Sequence, residues 1–289
     1  MTNNTSIYQK KTRISDQVLK GCINLAAGIS IVLLIGIMGY VFVRGLPELN
    51  WQFLSTVQSA RKGTFGILGN IVNTVYIVVV TLLVATPVGV GSAIYLNEYA
   101  KPGKVVRAIE FTTEILSGIP SIIFGLFGMV FFGTVLGLGY SVLTGSFTLM
   151  LMVLPFITRN TQEALKTVPD SYRHGALGMG ASKWHMIRTI LLPSAAPGIL
   201  TGVILSIGRI VGESAALLFT AGSGFQLPRN LFSKLFESSG TLTIQLYLSM
   251  QKAKYDQAFG IAVVLLLLVL GINLLTHYIT ARFDATKLK

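Results

Sequence analysis

Charge is absent from five long stretches of this chain. Gly21–Val43, Gly63–Asn97, Ile115–Thr158, Thr189–Gly208 and Gln257–Ala281 contain no Asp, Glu, Lys or Arg. A helix that crosses a bilayer needs about 20 predominantly apolar residues. The first run predicts one such helix. At 23 residues it exceeds the ~7–15 of a signal-peptide core, so it reads as a retained helix. The second run predicts another, with its apolar centre over 71–95. The third is 44 residues long, which suits two helices joined through Gly133, Gly137 and Gly139. The fourth keeps its apolar character past Arg209 and Glu213 to about Ala221, and the fifth closes the set. The expected fold is all-α and polytopic, with six transmembrane helices. Its expected layout is a tail over 1–20, a first helix over 21–44, and a core of five helices over 65–281 with a structured connection at 159–192.

Composition agrees. Hydrophobic residues are 52% of the chain and charged residues 12%, about half the charged share of soluble domains. Disorder is excluded on the same ground. The net charge is +12, but the basic residues flank the apolar runs instead of clustering on one soluble face, which argues against nucleic acid. In a six-span layout the side holding both termini, 97–110 and 159–188 carries fifteen Lys and Arg, against seven opposite. The positive-inside rule then puts both termini in the cytoplasm. Cys22 is the lone cysteine, and His174, His185 and His277 are too far apart for a helical metal pair. No metal site is expected.

The connection before the fifth helix is not loop-like. Pro169 ends the helix descending from the membrane, and Asp170 or Ser171 can cap a new short one. Tyr172, Ala176 and Met179 recur at helical spacing as a small apolar face. Gly178 and Gly180 suit a left-handed helix end. Ser182 caps the next helix, with Trp184, Ile187 and Leu191 on one side. Such an elbow can dock a partner and pass its motion to the fifth helix.

From Gly180, nine residues lead to Ile190-x-Leu192-Pro193. This resembles the second half of the "EAA" loop of ABC-importer permeases, in which the elbow fits a groove on a separate ATPase. The family's Glu-Ala-Ala falls on His174, Gly175 and Ala176, so only Ala176 agrees. Two further stretches resemble the phosphate importer permeases. Leu116-Ser-Gly-Ile-Pro-Ser-Ile-Ile-Phe-Gly-Leu-Phe127 is similar to their third-helix signature. Ile207-Gly-Arg-Ile-Val-Gly-Glu-Ser-Ala-Ala-Leu-Leu-Phe-Thr-Ala221 is similar to the fifth-helix signature of their PstA branch. The resemblance implies a MetI-like permease in a prokaryotic inner membrane, forming half of an ATP-driven phosphate pathway. It implies ABC ATPase subunits that bind ATP and Mg, a second homologous six-helix permease and an extracytoplasmic phosphate-binding protein. It also implies that His174, Gly175, Ala176, Gly180, Ile190, Leu192 and Pro193 couple to the ATPase.

Arg209 and Glu213 are the deepest charges. Four residues apart on one helix, they share a face. A charge at depth costs about 2.5–3.5 kcal/mol on insertion scales and by default faces a cavity. The alternative is a self-neutralising pair that locks packing. Arg159, at the end of the fourth span, reads either as a snorkelling arginine or, by the resemblance, as part of the phosphate path. Pro120 between Gly118 and Gly125 predicts a kink in the third helix. That kink serves either gating or close packing. Pro87 with Gly89 and Gly91 reads as packing. Trp51, Phe53 and Tyr140 suit an interfacial aromatic belt, and the polar segment 222–256 has little to hold it in place alone.

Gly-x-x-x-x-Gly-Lys-[Ser/Thr] is absent, as are Gly-x-Ser-x-Gly and His-Glu-x-x-His. No enzyme activity is expected of this chain. The alternatives to a phosphate permease are an ABC permease for sulfate, molybdate or phosphonate, and a stand-alone transporter or channel. Residues 1–145 and 146–289 show no convincing self-similarity of the kind secondary transporters often carry.

Overall fold

The computed structural model describes residues 14–59, 63–101, 103–228 and 230–285. Lys10, Lys11, Arg13, Arg61, Lys62, Arg229, Lys287 and Lys289 lie outside the described residues. The elements in chain order are α1 (Ile14–Gly45), α2 (Trp51–Ser55), a two-stranded antiparallel ribbon of β1 (Val57–Ser59) and β2 (Thr64–Ile67), and α3 (Leu68–Ile94). Next come α4 (Lys104–Gly118), α5 (Ser121–Gly128), α6 (Val142–Lys166), α7 (Asp170–Gly178), α8 (Lys183–Met186), α9 (Leu192–Gly212) and α10 (Ala215–Thr220). Two short helices, α11 (Leu231–Lys234) and α12 (Leu242–Gln251), precede α13 (Tyr255–Ala285). Five helices are long and apolar enough to cross a membrane, and six spans result if α4 and α5 count as one bent span. The all-α polytopic expectation holds.

The third span departs from expectation. Instead of a kink there is a break, with α4 and α5 meeting at 104°. The residue before a proline is driven out of the helical region. Ile119 accordingly has φ −72° and ψ 131°, and Pro120 follows at φ −59° and ψ 141°. The span also starts at Lys104, eleven residues before the uncharged run, because α4 is amphipathic and its charges need not enter lipid. The turn to α6 uses Gly137 and Gly139, both at positive φ, whereas Gly133 lies in the π-helical turn Met129–Val135 that extends α5.

Small residues set the helix spacing, as expected where lipid removes the hydrophobic drive between helices. A Cβ on Gly202 would stand 2.7 Å from Asn160 Cβ, and one on Gly198 2.6 Å from Ala164 Cβ. This pairs α6 and α9 in antiparallel register. Gly89 packs on Ile157 in the same way, joining α3 to α6 without any break at Pro87. The central core is Ile77, Leu149, Met152, Val153, Ile157, Ile210 and Leu217 with their neighbours. α1 stands apart. Its membrane-length stretch is unburied within the chain, and it touches the body through Tyr40 and Gly45 against α13.

Two expectations for the segments 46–59 and 222–256 are corrected. Phe53 is not at an interface with Trp51. It is buried with Ile67, Leu242 and Ile261, while Trp51 is exposed. The segment 222–256 is firmly anchored. Asn70 Nδ2 donates to Gly240 O, Asn73 Nδ2 to Gly224 O, and Thr74 Oγ1 accepts from Leu242 N. Lys234 is buried, donating to Gln226 O at 2.9 Å. The three bonds from Asn70, Asn73 and Thr74 join positions more than 150 residues apart, so only the fold creates them.

Gly128 and Gly118 separate packing from conformation in the broken span. A Cβ on Gly128 would strike the Thr148 side chain of α6, whereas one on Gly118 meets nothing within 4 Å. Gly128→Val is expected to destabilise the solubilised protein by about 1–3 kcal/mol through overpacking, while Gly118→Ala leaves it unchanged. Thermal unfolding in detergent measures both.

Candidate functional site

The elbow between α6 and α9 is a small folded unit. Its core is Ala164, Leu165, Val168, Ala176, Met186, Ile187, Leu191 and Ala195, with Ile94 from the end of α3 packed against it. α7 begins at Asp170 after Pro169, with no side-chain cap. It ends in a double backbone bond, Ala181 N to Ala176 O and Gly180 N to Leu177 O, both 3.0 Å. Gly180 has φ +83°. This is the Schellman ending, and Ala176–Ala181 supplies its apolar contact. Ser182 Oγ accepts from His185 N and caps α8, as expected. Pro193 has no N–H to donate, and the helix widens into a π turn over Ile187–Leu191, with Leu192 N bonded to Ile187 O. The fifth span is therefore continuous from Lys183 to Gly212. Of the residues expected to couple, Ile190 and Leu192 pack partly on the elbow core and Pro193 is exposed.

The expected apolar faces are only partly inward. Ala176 is buried, but Tyr172 is 52% and Met179 90% exposed. Ile187 and Leu191 are buried, but Trp184 is exposed, and Met186 takes the inward place beside them. His174 and Gly175 are exposed. The elbow thus presents Tyr172, Leu177, Met179 and Trp184 outward.

One charged residue in the elbow holds it to the rest of the chain. Arg173 Nη2 donates to Glu98 Oε1 at 3.0 Å and to Leu165 O at 2.9 Å, and Nε reaches Glu98 Oε1 at 3.3 Å. Nη1 donates to Val168 O at 2.8 Å and to Asp170 Oδ1 at 3.1 Å. The Glu98 side chain is 6% exposed and that of Arg173 16%. Truncating one member of such a shielded pair to alanine costs about 3–5 kcal/mol, since the other is left without its partner, whereas a replacement that keeps an acceptor or a cation costs less. Glu98 lies in the π turn Tyr95–Tyr99 that ends α3. The next residue, Tyr99, has Lys183 Nζ 5.0 Å from its ring centroid. Sequence reasoning missed both ties. Arg173 and Glu98 are 75 positions apart, and each alone looks like an ordinary flanking charge.

Arg209 and Glu213 do not share a helix face, and the alternative of a self-neutralising pair is not formed either. α9 stops at Gly212, and Glu213 is extended at ψ 125°. Its carboxylate turns forward to accept from Ala216 N at 3.1 Å, capping α10, while its backbone oxygen accepts from Thr243 Oγ1. Arg209 is exposed in the last turn of α9, where the helix dipole favours a cation. It makes no ion pair with any described residue. The signature that resembles the PstA branch therefore encodes a helix break. The acid three residues before a helical N–H was its visible signal.

The two breaks meet. Gly125 of α5 lies against the Ala216 backbone, and Ile122, Ser214, Ala215, Leu218, Phe219 and Tyr247 line a cavity of about 170 Å³ between them. Toward the elbow, a second cavity of about 270 Å³ lies between α4 and α6. Glu110, Thr113, Glu114 and Ser117 form its α4 wall, and Arg159 and Gln162 face them. Arg159 does not end the fourth helix, which runs on to Lys166. Its Nε pairs with Glu163 at 3.1 Å, both well exposed, an arrangement worth at most about 1 kcal/mol. Because Gly202 packs on Asn160, Arg209 lies seven residues further along α9, about 10 Å from the level of Arg159.

The model of the binding-protein-dependent transport system inner membrane component family matches residues 85–288. The chain belongs to that family. It is 37% identical over 235 residues to a probable ABC transporter permease, YqgI, of Bacillus subtilis, covering 81% of this chain and 79% of the relative. It is 34% identical over 242 residues to the phosphate transport system permease PstA 1 of Mycobacterium tuberculosis, covering 84% and 74%. In fold it resembles a chain of a bacterial ABC transporter involved in the import of the acidic polysaccharide alginate, with TM-score 0.68 at 18% identity over 93% of this chain and 97% of that one. The MetNI methionine transporter gives TM-score 0.57 at 20% identity over 85% and 97%. The chain is thus a permease subunit of an ABC importer and a multi-pass inner-membrane protein. It is not itself an enzyme, and ATP hydrolysis belongs to a separate subunit.

For this permease, Gly180 is the residue whose conformation shapes the elbow. A Cβ there meets nothing within 4 Å, so only the left-handed backbone resists substitution, by about 1–2 kcal/mol. Gly180→Leu is expected to leave the protein inserted but to uncouple ATP hydrolysis from uptake, whereas Gly180→Asn, which tolerates that conformation, keeps the two coupled. Parallel assays of ATPase activity and uptake in reconstituted complexes decide it.

Proposed function

We propose that this permease imports phosphate, with both termini and the elbow in the cytoplasm. Its partners in this reading are an ABC ATPase dimer at the elbow, a second homologous permease and an extracytoplasmic phosphate-binding protein. The observation that carries the reading is Arg209. It is a charged side chain within a membrane span that makes no ion pair with any described residue, three positions before the α9–α10 break, in a chain 34% identical to a phosphate transport permease. Broken helices beside a cavity are where transporters place their cargo sites. A guanidinium can hold two phosphate oxygens at once, and a lysine cannot reproduce that fork.

The path runs from the breaks to the cavity at Arg159, about 10 Å nearer the elbow. Two guanidinium stations at different depths let the anion pass from one to the next. Glu163 beside Arg159, and Glu110 and Glu114 across the cavity, weaken the hold there and favour release. Glu213 acts by holding the α9–α10 break in shape, a role its capping bond supports. At the elbow, the outward Tyr172, Leu177, Met179 and Trp184 offer an apolar surface for the ATPase. His174 occupies the position of the family's acid, so docking here rests on apolar contact and on the Gly180 corner. Pro120 makes the break just after Gly118, and Gly125 keeps it against α10.

Arg209→Ala and Arg209→Lys are both expected to lower phosphate uptake at least ~10-fold, with the ATPase still bound and vanadate-sensitive hydrolysis retained. Glu213→Gln, which keeps an acceptor for Ala216 N, should slow uptake with little loss of stability. Uptake of labelled phosphate into proteoliposomes, with sulfate as competitor, tests the reading. Wild-type uptake by both arginine variants removes Arg209 from the path, and equal competition by sulfate removes the phosphate assignment.

A further inference from the structure

We propose that Arg173 and Glu98 are positioning residues that make α3 part of the elbow, so that a displacement imposed on α7 is delivered to α3 as well as to α6 and α9. Chain connectivity alone joins the elbow to α6 and α9. α3 ends at Ile94, some 75 residues before α7, and leaves toward α4. Nothing covalent obliges it to follow the elbow.

The side chains supply that obligation. One guanidinium bonds Glu98 at the end of α3, Leu165 O and Val168 O at the end of α6, and Asp170 of its own helix. A planar fork with five donors can satisfy several fixed acceptors in this way, and an ammonium cannot. The same Glu98 Oε1 also accepts from Asn97 Nδ2 at 2.8 Å. Lys183 over the Tyr99 ring adds a tie from α8 to the same π turn, and Ile94 packs in the elbow core. Three contacts of different chemistry thus converge on 94–99, while α7 turns Tyr172, Leu177 and Met179 outward. Packed, hydrogen-bonded units of this kind move as bodies. α3 packs along α6 over much of its length, so the moving body includes two spans bordering the central core.

The inference rests on the ATPase docking at α7. Only the choice of assay cargo rests on phosphate. Glu98→Gln and Arg173→Lys are compared with wild type in reconstituted complexes. Both variants are expected to assemble and to hydrolyse ATP at the wild-type basal rate. Phosphate imported per ATP should fall ~10-fold, with unchanged KM for the loaded binding protein. A cargo-independent arm places spin labels at Val88→Cys and His185→Cys in a Cys22→Ser background. Their separation should stay the same between resting and vanadate-trapped complexes with Glu98 and Arg173 intact, and change on trapping when Glu98→Gln is added. Unchanged import per ATP and an unchanged separation in the variants overturn the inference. Uptake and hydrolysis falling together, in proportion to the complex assembled, also overturn it and leave the pair a static brace. A wild-type complex that hydrolyses ATP without importing phosphate overturns the phosphate assignment alone, and the label separation then decides the coupling role.

Discussion

In lipid, backbone polar groups must find partners within the protein, and this constraint explains both the regularity of the chain and its exceptions. Most of the spans are continuous helix. The breaks at 118–121, within the third span, and at 212–215, where the α9 span ends, fall where polar groups are met locally. Ile119 N bonds to Leu116 O, Ile123 N to Pro120 O, Glu213 N to Ile210 O and Ala216 N to the Glu213 carboxylate. The breaks also lie against each other, Gly125 on Ala216, so each is shielded by the other. Irregular backbone at membrane depth persists when protein or a water-filled cavity surrounds it, and here it borders a small cavity.

The same economy governs packing. With little hydrophobic drive between helices, close approach does the work, and glycine supplies it between α3 and α6, α6 and α9, and α5 and α10. α1, which lacks such approaches over most of its length, remains outside the body. At the elbow the environment is no longer lipid, and the means change to a buried apolar core and one guanidinium serving several acceptors. An importer needs this division. The membrane part must slide and reopen, while the proposed ATPase-docking part must hold its shape.

Much was determined by the sequence alone. Charge-free runs set the number and order of spans, because ions are expensive in hydrocarbon. Pro169, Gly180 and Ser182 set the elbow's ends, because each acts through its own local backbone chemistry. The tertiary structure alone decided which charges meet. Arg209 and Glu213 are four residues apart, yet the helix ends between them and the carboxylate turns to Ala216 instead. Arg173 and Glu98 are 75 apart and share a proton-rich contact. Tyr172 and Met179 have helical spacing with Ala176 but face outward. Periodicity states which residues share a face of a helix. It does not state where the helix stops or what that face touches, because both depend on neighbours brought in from distant parts of the chain.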